Sequence, residues 1–292
     1  MKKQKISMFD MVVGFFLILL CFSTIYPFIY AFLYSVSDGI RALTTNITIL
    51  PAGFTLDNYK VLFADNRIIR ATMVSISRTV LGTSLFILVT GLCAYAMSKQ
   101  QLIGRKYIFI FFVIPMYVSG GLLPTYVLIH DMGLMDNFLV YILPGCFAMF
   151  FMILMKVYFE GIPVSLEESA KLDGAGELVI YVGIYFPLSL PIYATVALFV
   201  GVSQWNSWFD ALLYMQDTKL YPLQLLLQNV LKESQMSTYT QLFEQTLNKK
   251  NRISTETLKM AILITSTLPI VFVYPFAQKY FVKGVTVGAI KM

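Results

Sequence analysis

Charge is scarce in this chain. Asp, Glu, Lys and Arg make up 13% of its 292 residues, against about 25% in soluble domains, while 58% of the residues are hydrophobic and the mean hydropathy is +0.72. A water-soluble fold needs polar side chains over much of its exterior. That composition excludes one and indicates an integral membrane protein. Histidine occurs once, at His130, and the three cysteines, Cys21, Cys93 and Cys146, lie within apolar runs. No disulfide framework, metal centre or haem site is implied. No G-x-x-x-x-G-K-[ST] stretch occurs, so the chain binds no nucleotide through a P-loop and does not hydrolyse ATP alone. The net charge of +6 comes from basic residues scattered along the ends of apolar runs. Nucleic-acid binders gather theirs on one face, so no nucleic-acid partner is expected.

Long apolar runs are what the chain does have. They cover Met11 to Val36, Ala71 to Ser98, Tyr107 to Ile129, Phe138 to Phe159, Leu188 to Trp205 and Met260 to Phe281. A membrane span needs about 20 such residues. The expected fold is therefore all-α, with six transmembrane helices in one domain over residues 1–292 and no repeat or linker to divide it. Pro115, Pro124, Pro144, Pro191, Pro269 and Pro275 fall within or beside the runs, so kinks around a polar pathway are expected. The first run follows Lys2, Lys3 and Lys5 and contains Ser35-Val36-Ser37, a small-x-small mimic of a cleavage site. Signal h-regions run only about 7 to 15 residues, so an uncleaved first helix is the better reading.

Lysine and arginine are retained in short cytoplasmic loops. The N-terminal lysines, then Lys99, Arg105 and Lys106, and then Lys279, Lys283 and Lys291 all fall on one side, whereas the His130 to Asn137 connection has none. Both termini are thus expected in the cytoplasm. Ser37 to Arg70 and residues 206–259 become outer segments, the second a partly helical elaboration with polar stretches at Lys232 to Thr240 and Asn248 to Glu256.

One inner loop, residues 160–187, carries a motif. Ser165 and Glu168 have capping-box spacing, and Gly174 suits a left-handed C-terminal cap. A short helix between them is predicted. From Lys156 to Glu177 there are five acids and two bases, so this helix offers negative charge to a basic partner. Taken alone, the loop also fits an ordinary interfacial helix. The wider spacing is more specific: Glu168-Ser169-Ala170, then Gly174, then nine residues on, Ile184-Tyr185-Phe186-Pro187. This resembles the EAA loop of ABC importer permeases, with Ser169 in place of alanine and Phe186 in place of leucine. Ala94-Tyr95-Ala96-Met97-Ser98, Gly104-Arg105-Lys106, Ile114-Pro115-Met116, Leu143-Pro144-Gly145, Trp205-Asn206 and Gln278 to Gly284 extend the resemblance to the second permease subunit of maltose-type carbohydrate importers. Ser119 to Tyr126 is most similar to the branch that imports larger or polysaccharide-derived oligosaccharides.

The resemblance implies a type I ABC importer permease fold with a cytoplasmic coupling helix. It also implies four kinds of partner: a homologous second permease, two ATP-binding cassette ATPase subunits that use ATP and Mg, an extracytoplasmic solute-binding protein and an oligosaccharide. On it, Glu168, Ser169, Ala170, Asp173 and Gly174 meet the ATPase, and Ser165 caps the helix. No cofactor is bound by this chain and no catalytic residue is expected.

Arg78 lies inside the second run. Snorkelling, an interior ion pair or a place on the translocation path would each account for it. Gln204, Trp205, Asn206 and Trp208 combine aromatic faces with amides that suit sugar contact, though Trp also anchors helices at the interface. His130 beside Asp131 reads as a solvated turn. An ion-coupled secondary sugar transporter is the rival reading, but it would need acids or histidines buried in its spans. None of the six runs has one away from its ends. A membrane enzyme would need convergent catalytic groups at that depth, and the runs supply none.

Overall fold

The computed structural model describes residues 8–45, 50–118, 120–236 and 253–289, with side chains described as far as Lys232 in the third stretch and Pro275 in the fourth. Apart from an isolated bridge between Ser37 and Phe54, the described residues contain no strand. The helices are α1 (Met8–Ser35), α2 (Gly39–Thr44), α3 (Asp57–Ala64), α4 (Asn66–Ser98), α5 (Arg105–Tyr117), α6 (Leu122–Asp131), α7 (Met149–Glu160), α8 (Val164–Leu172), α9 (Glu177–Leu188), α10 (Leu190–Asn206), α11 (Phe209–Tyr214), α12 (Leu223–Met236) and α13 (Thr255–Ala289). The N-terminal lysines, part of both polar stretches of the outer segment, Ser119 and Lys291 lie outside the described residues.

Contacts divide the described residues into two compact units. One takes those within Met1–Ile68 and Leu227–Leu268, the other those within Ile69–Leu226 and Pro269–Met292. The first is organised around Asn58, which is fully buried. Its Nδ2 donates to the carbonyls of Ser35 (2.8 Å) and Ser37 (2.9 Å), and its Oδ1 accepts from Thr257 Oγ1 (3.0 Å). One amide thus joins the end of α1, α3 and the start of α13, all its polar atoms used as burial requires. The rest of α1 is apolar around its circumference, with only Ala31 and Ser35 buried. Such a helix suits an apolar surrounding on every side.

The second unit contains the motif and the Arg78 site. Its main core packs Phe86 of α4, Met152 and Phe159 of α7, Tyr181 of α9, and Tyr193 and Val196 of α10. Gly91 allows the closest approach: a Cβ there would stand 2.7 Å from Tyr181 Oη and 2.8 Å from Tyr193 Oη. Those two hydroxyls hydrogen-bond each other at 2.6 Å. A second cluster joins Ile129, Tyr141, Ala211 and Tyr214.

Three helices, α1, α4 and the first part of α13, are long and apolar enough to cross a membrane. Of the other three expected spans, the third and fourth are not continuous helices. The third run breaks between α5 and α6, where Gly121 has φ +84°. The fifth run, Leu188 to Trp205, forms the continuous helix α10, and an 80° bend at its start separates it from α9, which contains a π-helical turn at Tyr181–Tyr185. The fourth is helical only over α7, whose 12 residues rise about 18 Å against a hydrocarbon core of about 30 Å. Before it come a 3₁₀ turn at Phe138–Tyr141 and an irregular stretch containing Pro144 and Gly145. Hydropathy counts apolar residues and does not register where the backbone leaves the helix. Irregular backbone at this depth must be covered by protein or line a cavity, and Pro144 and Gly145 do line one.

Candidate functional site

The motif loop folds as the helix α8, but its start differs from the expectation. The N-cap is Pro163, with φ −58°, ψ 126° and no side-chain cap bond. Proline fixes φ and ends the incoming chain, so Val164 is already helical and Ser165 falls inside the first turn. The capping box with Glu168 does not form. The C-terminal end follows the expectation closely: Gly174 has φ +80°, its N–H donates to the Lys171 carbonyl (3.0 Å), and the Ala175 N–H donates to that of Ala170 (2.9 Å). This is the Schellman arrangement, which consumes two otherwise orphaned carbonyls.

The two adjacent glutamates face opposite ways. Glu168 is exposed, as are Ser169 and Asp173, whereas Glu167 is buried and Ala170 half-buried. Glu167 Oε2 accepts from Lys99 Nζ (2.5 Å) and Tyr185 Oη (2.8 Å), and Oε1 pairs with Lys171 Nζ (2.8 Å). Lys99 Nζ also lies 4.1 Å and 4.3 Å from the ring centres of Tyr95 and Tyr185. Lys171 continues to Glu177 (3.0 Å), and Glu177 accepts from Tyr95 Oη (2.6 Å). A single carboxylate therefore ties α8 to the end of α4 and to α9. Burial alone would raise the Glu167 carboxyl, but hydrogen bonds from Lys171, Lys99 and Tyr185 outweigh it and hold the group at about 2. Lys171 is raised in turn by its hydrogen bonds to Glu167 and Glu177. The opposite side of α8 has no such partners among the described residues. Val164, Leu166 and Leu172 are 63%, 42% and 90% exposed beside Glu168. One face is locked and the other is apolar, acidic and open. Nearby, Glu160 accepts from Arg105 (2.5 Å) and Lys156 (2.8 Å), joining α7 to α5.

Arg78 does not snorkel. Its side chain is 1% exposed and pairs with Asp210 through Nη2–Oδ2 (2.5 Å) and Nη1–Oδ1 (3.3 Å). Gln204 Oε1 accepts from Nε and Nη2 (3.3 and 3.2 Å), and the Ser207 carbonyl accepts from Nη1 (3.2 Å). The guanidinium lies 4.3 Å over the Tyr141 ring. Arg78 thus forms an interior ion pair, and it lines, with Gln204, Tyr141 and Gly145, a cavity of about 170 Å3. Trp205, one residue on, lines a different cavity of about 400 Å3 between α4, α10 and α13. Asn206 and Trp208 line neither: Asn206 Oδ1 accepts from Gln224 (3.4 Å), and Trp208 packs edge-on against Phe209 at 5.7 Å.

Sequence reasoning missed Glu167, Lys99, Tyr185 and Asp210. Two of these had a signal. Lys171 stands four residues after Glu167, the favourable helical ion-pair spacing. A buried arginine also demands a counter-charge, and Asp210 is the first acid after the run that ends at Trp205.

An all-helical chain with broken spans, a docked acidic helix and a buried ion pair has the architecture of a transport permease. Residues 67–287 match the family described as binding-protein-dependent transport system inner membrane component, and the chain belongs to it. It is 35% identical over 288 residues, 99% of this chain and 100% of the relative, to the polygalacturonan/rhamnogalacturonan transport system permease protein YtcP of Bacillus subtilis. It is 38% identical to the LplC protein of the same organism, over 92% of this chain and 90% of LplC. Among solved structures it resembles a bacterial ABC transporter involved in the import of the acidic polysaccharide alginate, with a TM-score of 0.86, 30% identity, and 96% of this chain and 100% of the other covered. The fold is the type I ABC importer permease fold, and the family is a transport permease rather than an enzyme. The chain is a multi-pass membrane protein, and membership implies an ATPase, a solute-binding protein and a second permease as partners.

Proposed function

We propose that this chain is one of two homologous permease subunits of an importer that carries an oligosaccharide released from a uronic-acid polysaccharide, with α8 as its coupling helix. The observation that supports coupling is the two-sidedness of α8. A lever must be rigid with respect to the spans and complementary to its driver. Glu167 supplies the first through Lys99 and Tyr185. The exposed face of Val164, Leu166, Glu168 and Leu172 supplies the second. In this reading Glu168, Ser169, Ala170, Asp173 and Gly174 form the surface and exit turn presented to an ATPase subunit, one of two that use ATP and Mg.

The lysine distribution supports a cytoplasmic position for α8 and both termini. Arg78 and Gln204 then lie toward the outer side, where the solute-binding protein delivers the sugar. The uronate assignment draws on two similar proteins, one named for polygalacturonan and rhamnogalacturonan and one for alginate. Transport is tested by reconstituting the chain with its partner permease, ATPases and binding protein in vesicles and following ATP-dependent uptake of radiolabelled trigalacturonate and maltotriose. Uptake of trigalacturonate in preference to maltotriose is expected. Preference for maltotriose would overturn the uronate assignment, and uptake of neither would overturn the oligosaccharide reading.

A further inference from the structure

The helix α9 is occupied on one side and bare on the other. Ile180, Tyr181 and Tyr185 are buried in the main core, Tyr95 Oη donates to Glu177 (2.6 Å), and Tyr185 Oη donates to Glu167 (2.8 Å). The opposite side holds Leu178, Val179 and Val182, which are 70%, 64% and 62% exposed. Apolar side chains this exposed and this close together call for an apolar cover. No charged residue occurs between Glu177 and Asp210, so the bare side of α9 lacks the charges that set register and partner choice in a protein interface. The open face of α8 differs, since Glu168 stands among its apolar residues.

The geometry favours lipid as the cover. Over its 17 residues α10 rises about 25 Å, most of a hydrocarbon core of about 30 Å, so the crossing is made without α9. An 80° bend turns α9 away from that span. Spans tilt by only about 20° on average, so α9 lies close to the membrane plane, at the α8 end of the crossing. Exposed apolar residues continue from α9 through Phe186 and Leu188 to Leu190 at the start of α10, which joins the bare face to the surface of a span.

We propose that α9 is a membrane-surface helix whose Leu178, Val179 and Val182 insert among the phospholipid acyl chains of the leaflet beside α8. A helix lying in this way sinks its apolar face about 5 to 10 Å into the boundary between headgroups and acyl chains. The bilayer then supports the motif loop from below: Lys171 of α8 pairs with Glu177 of α9 (3.0 Å), and α9 rests on lipid. This placement needs only that the chain spans a membrane. It depends neither on the sugar carried nor on the side where α8 lies.

The test uses the assembled importer in phospholipid vesicles. With the native cysteines replaced, a nitroxide is attached in turn at Leu178→Cys, Val179→Cys and Val182→Cys. Its relaxation is measured with oxygen, which concentrates in lipid, and with a nickel chelate, which stays in water, and lipids labelled along the acyl chain calibrate its depth. All three labels should favour oxygen and lie about 5 to 10 Å into the interface. Greater access to the chelate than to oxygen at any of the three would put the face in water and overturn the proposal. Exclusion of both reagents would mean that a partner subunit covers the face, and so would failure of all three labelled chains to assemble; either result overturns it as well. An importer that shows the lipid depth yet carries neither trigalacturonate nor maltotriose overturns the oligosaccharide reading alone.

Discussion

Replacing Glu167 by glutamine removes one negative charge and almost no volume, which isolates the electrostatic hold on α8. Two routes give the size of that hold. Moving a carboxyl from its ordinary 4.5 to about 2 is worth about 3 kcal/mol. Removing one partner of a buried ion pair costs about 3 to 5 kcal/mol, and the side chains here, 11% exposed at Glu167, 19% at Lys99 and 39% at Lys171, place it at or below the lower end. Allowing for that solvent screening, about 2 kcal/mol remains, or about thirtyfold in the ratio of docked to undocked α8. Amide exchange over residues 164–172 should accelerate by that factor in the assembled importer, and ATP hydrolysis should continue while uptake falls. Pairing Glu167→Lys with Lys99→Glu should restore part of the uptake, which a general folding defect would not allow. The folded carboxyl lies below its unfolded value, so its stabilisation is complete above about pH 4.5 and is lost as pH falls from there toward about 2. Between pH 6 and 8 the protection of α8 should therefore be flat. Unchanged exchange and full coupling in Glu167→Gln would refute the argument that this carboxylate locks the helix.

The open face and the exit turn of α8 are tested by Glu168→Lys, which should weaken ATPase retention in a pull-down, and by Gly174→Val. A Cβ at Gly174 meets nothing within 4 Å, so the cost of Gly174→Val is purely conformational, about 1 to 3 kcal/mol at φ +80°. Ser165→Ala should change uptake and melting little, because Ser165 is not the cap; a loss of about 1 kcal/mol in melting would reinstate the capping box. Arg78→Met should lower the yield of folded chain by leaving Asp210 without its guanidinium, a cost of about 3 kcal/mol, and Arg78→Lys should rescue it poorly because lysine cannot supply the fork that meets Asp210 and Gln204. Fluorescence size-exclusion of detergent extracts reads both, and normal folding with impaired uptake would instead place Arg78 on the path. With the native cysteines replaced, Thr218→Cys should react with an impermeant maleimide in intact cells and Gln101→Cys should not; the reverse pattern overturns the orientation.

Apolar runs and the motif spacing were readable from residue order because each depends on neighbours close in the chain. Gly174 is the clearest case, since a glycine after a helix-forming stretch has few other uses. Pro115, Pro124 and Pro144 signalled kinks in the third and fourth runs, but not that the helix stops altogether, because hydropathy is insensitive to backbone path. Nor could order alone divide Glu167 from Glu168. Their roles separate only when α8 docks, because Lys99 is 68 residues from Glu167 and Tyr185 is 18. The same holds for the candidate path residues. Consecutive positions 204, 205 and 206 point to three different surroundings, as a helical step of about 100° dictates.

The distance along the chain between Arg78 and Asp210 bears on how the protein is made. They are 132 residues apart, and ribosomes add about 5 to 20 residues per second. During synthesis Arg78 therefore waits roughly 7 to 26 s for its carboxylate. An arginine at the centre of an inserted helix costs about 2.5 to 3.5 kcal/mol on the insertion scale, an upper limit for Arg78 eight residues into its run, and α4 offsets it with its own leucines, isoleucines and valines while the guanidinium reaches toward the headgroups. Only once α11 has been made can Asp210 meet the guanidinium and complete the ion pair.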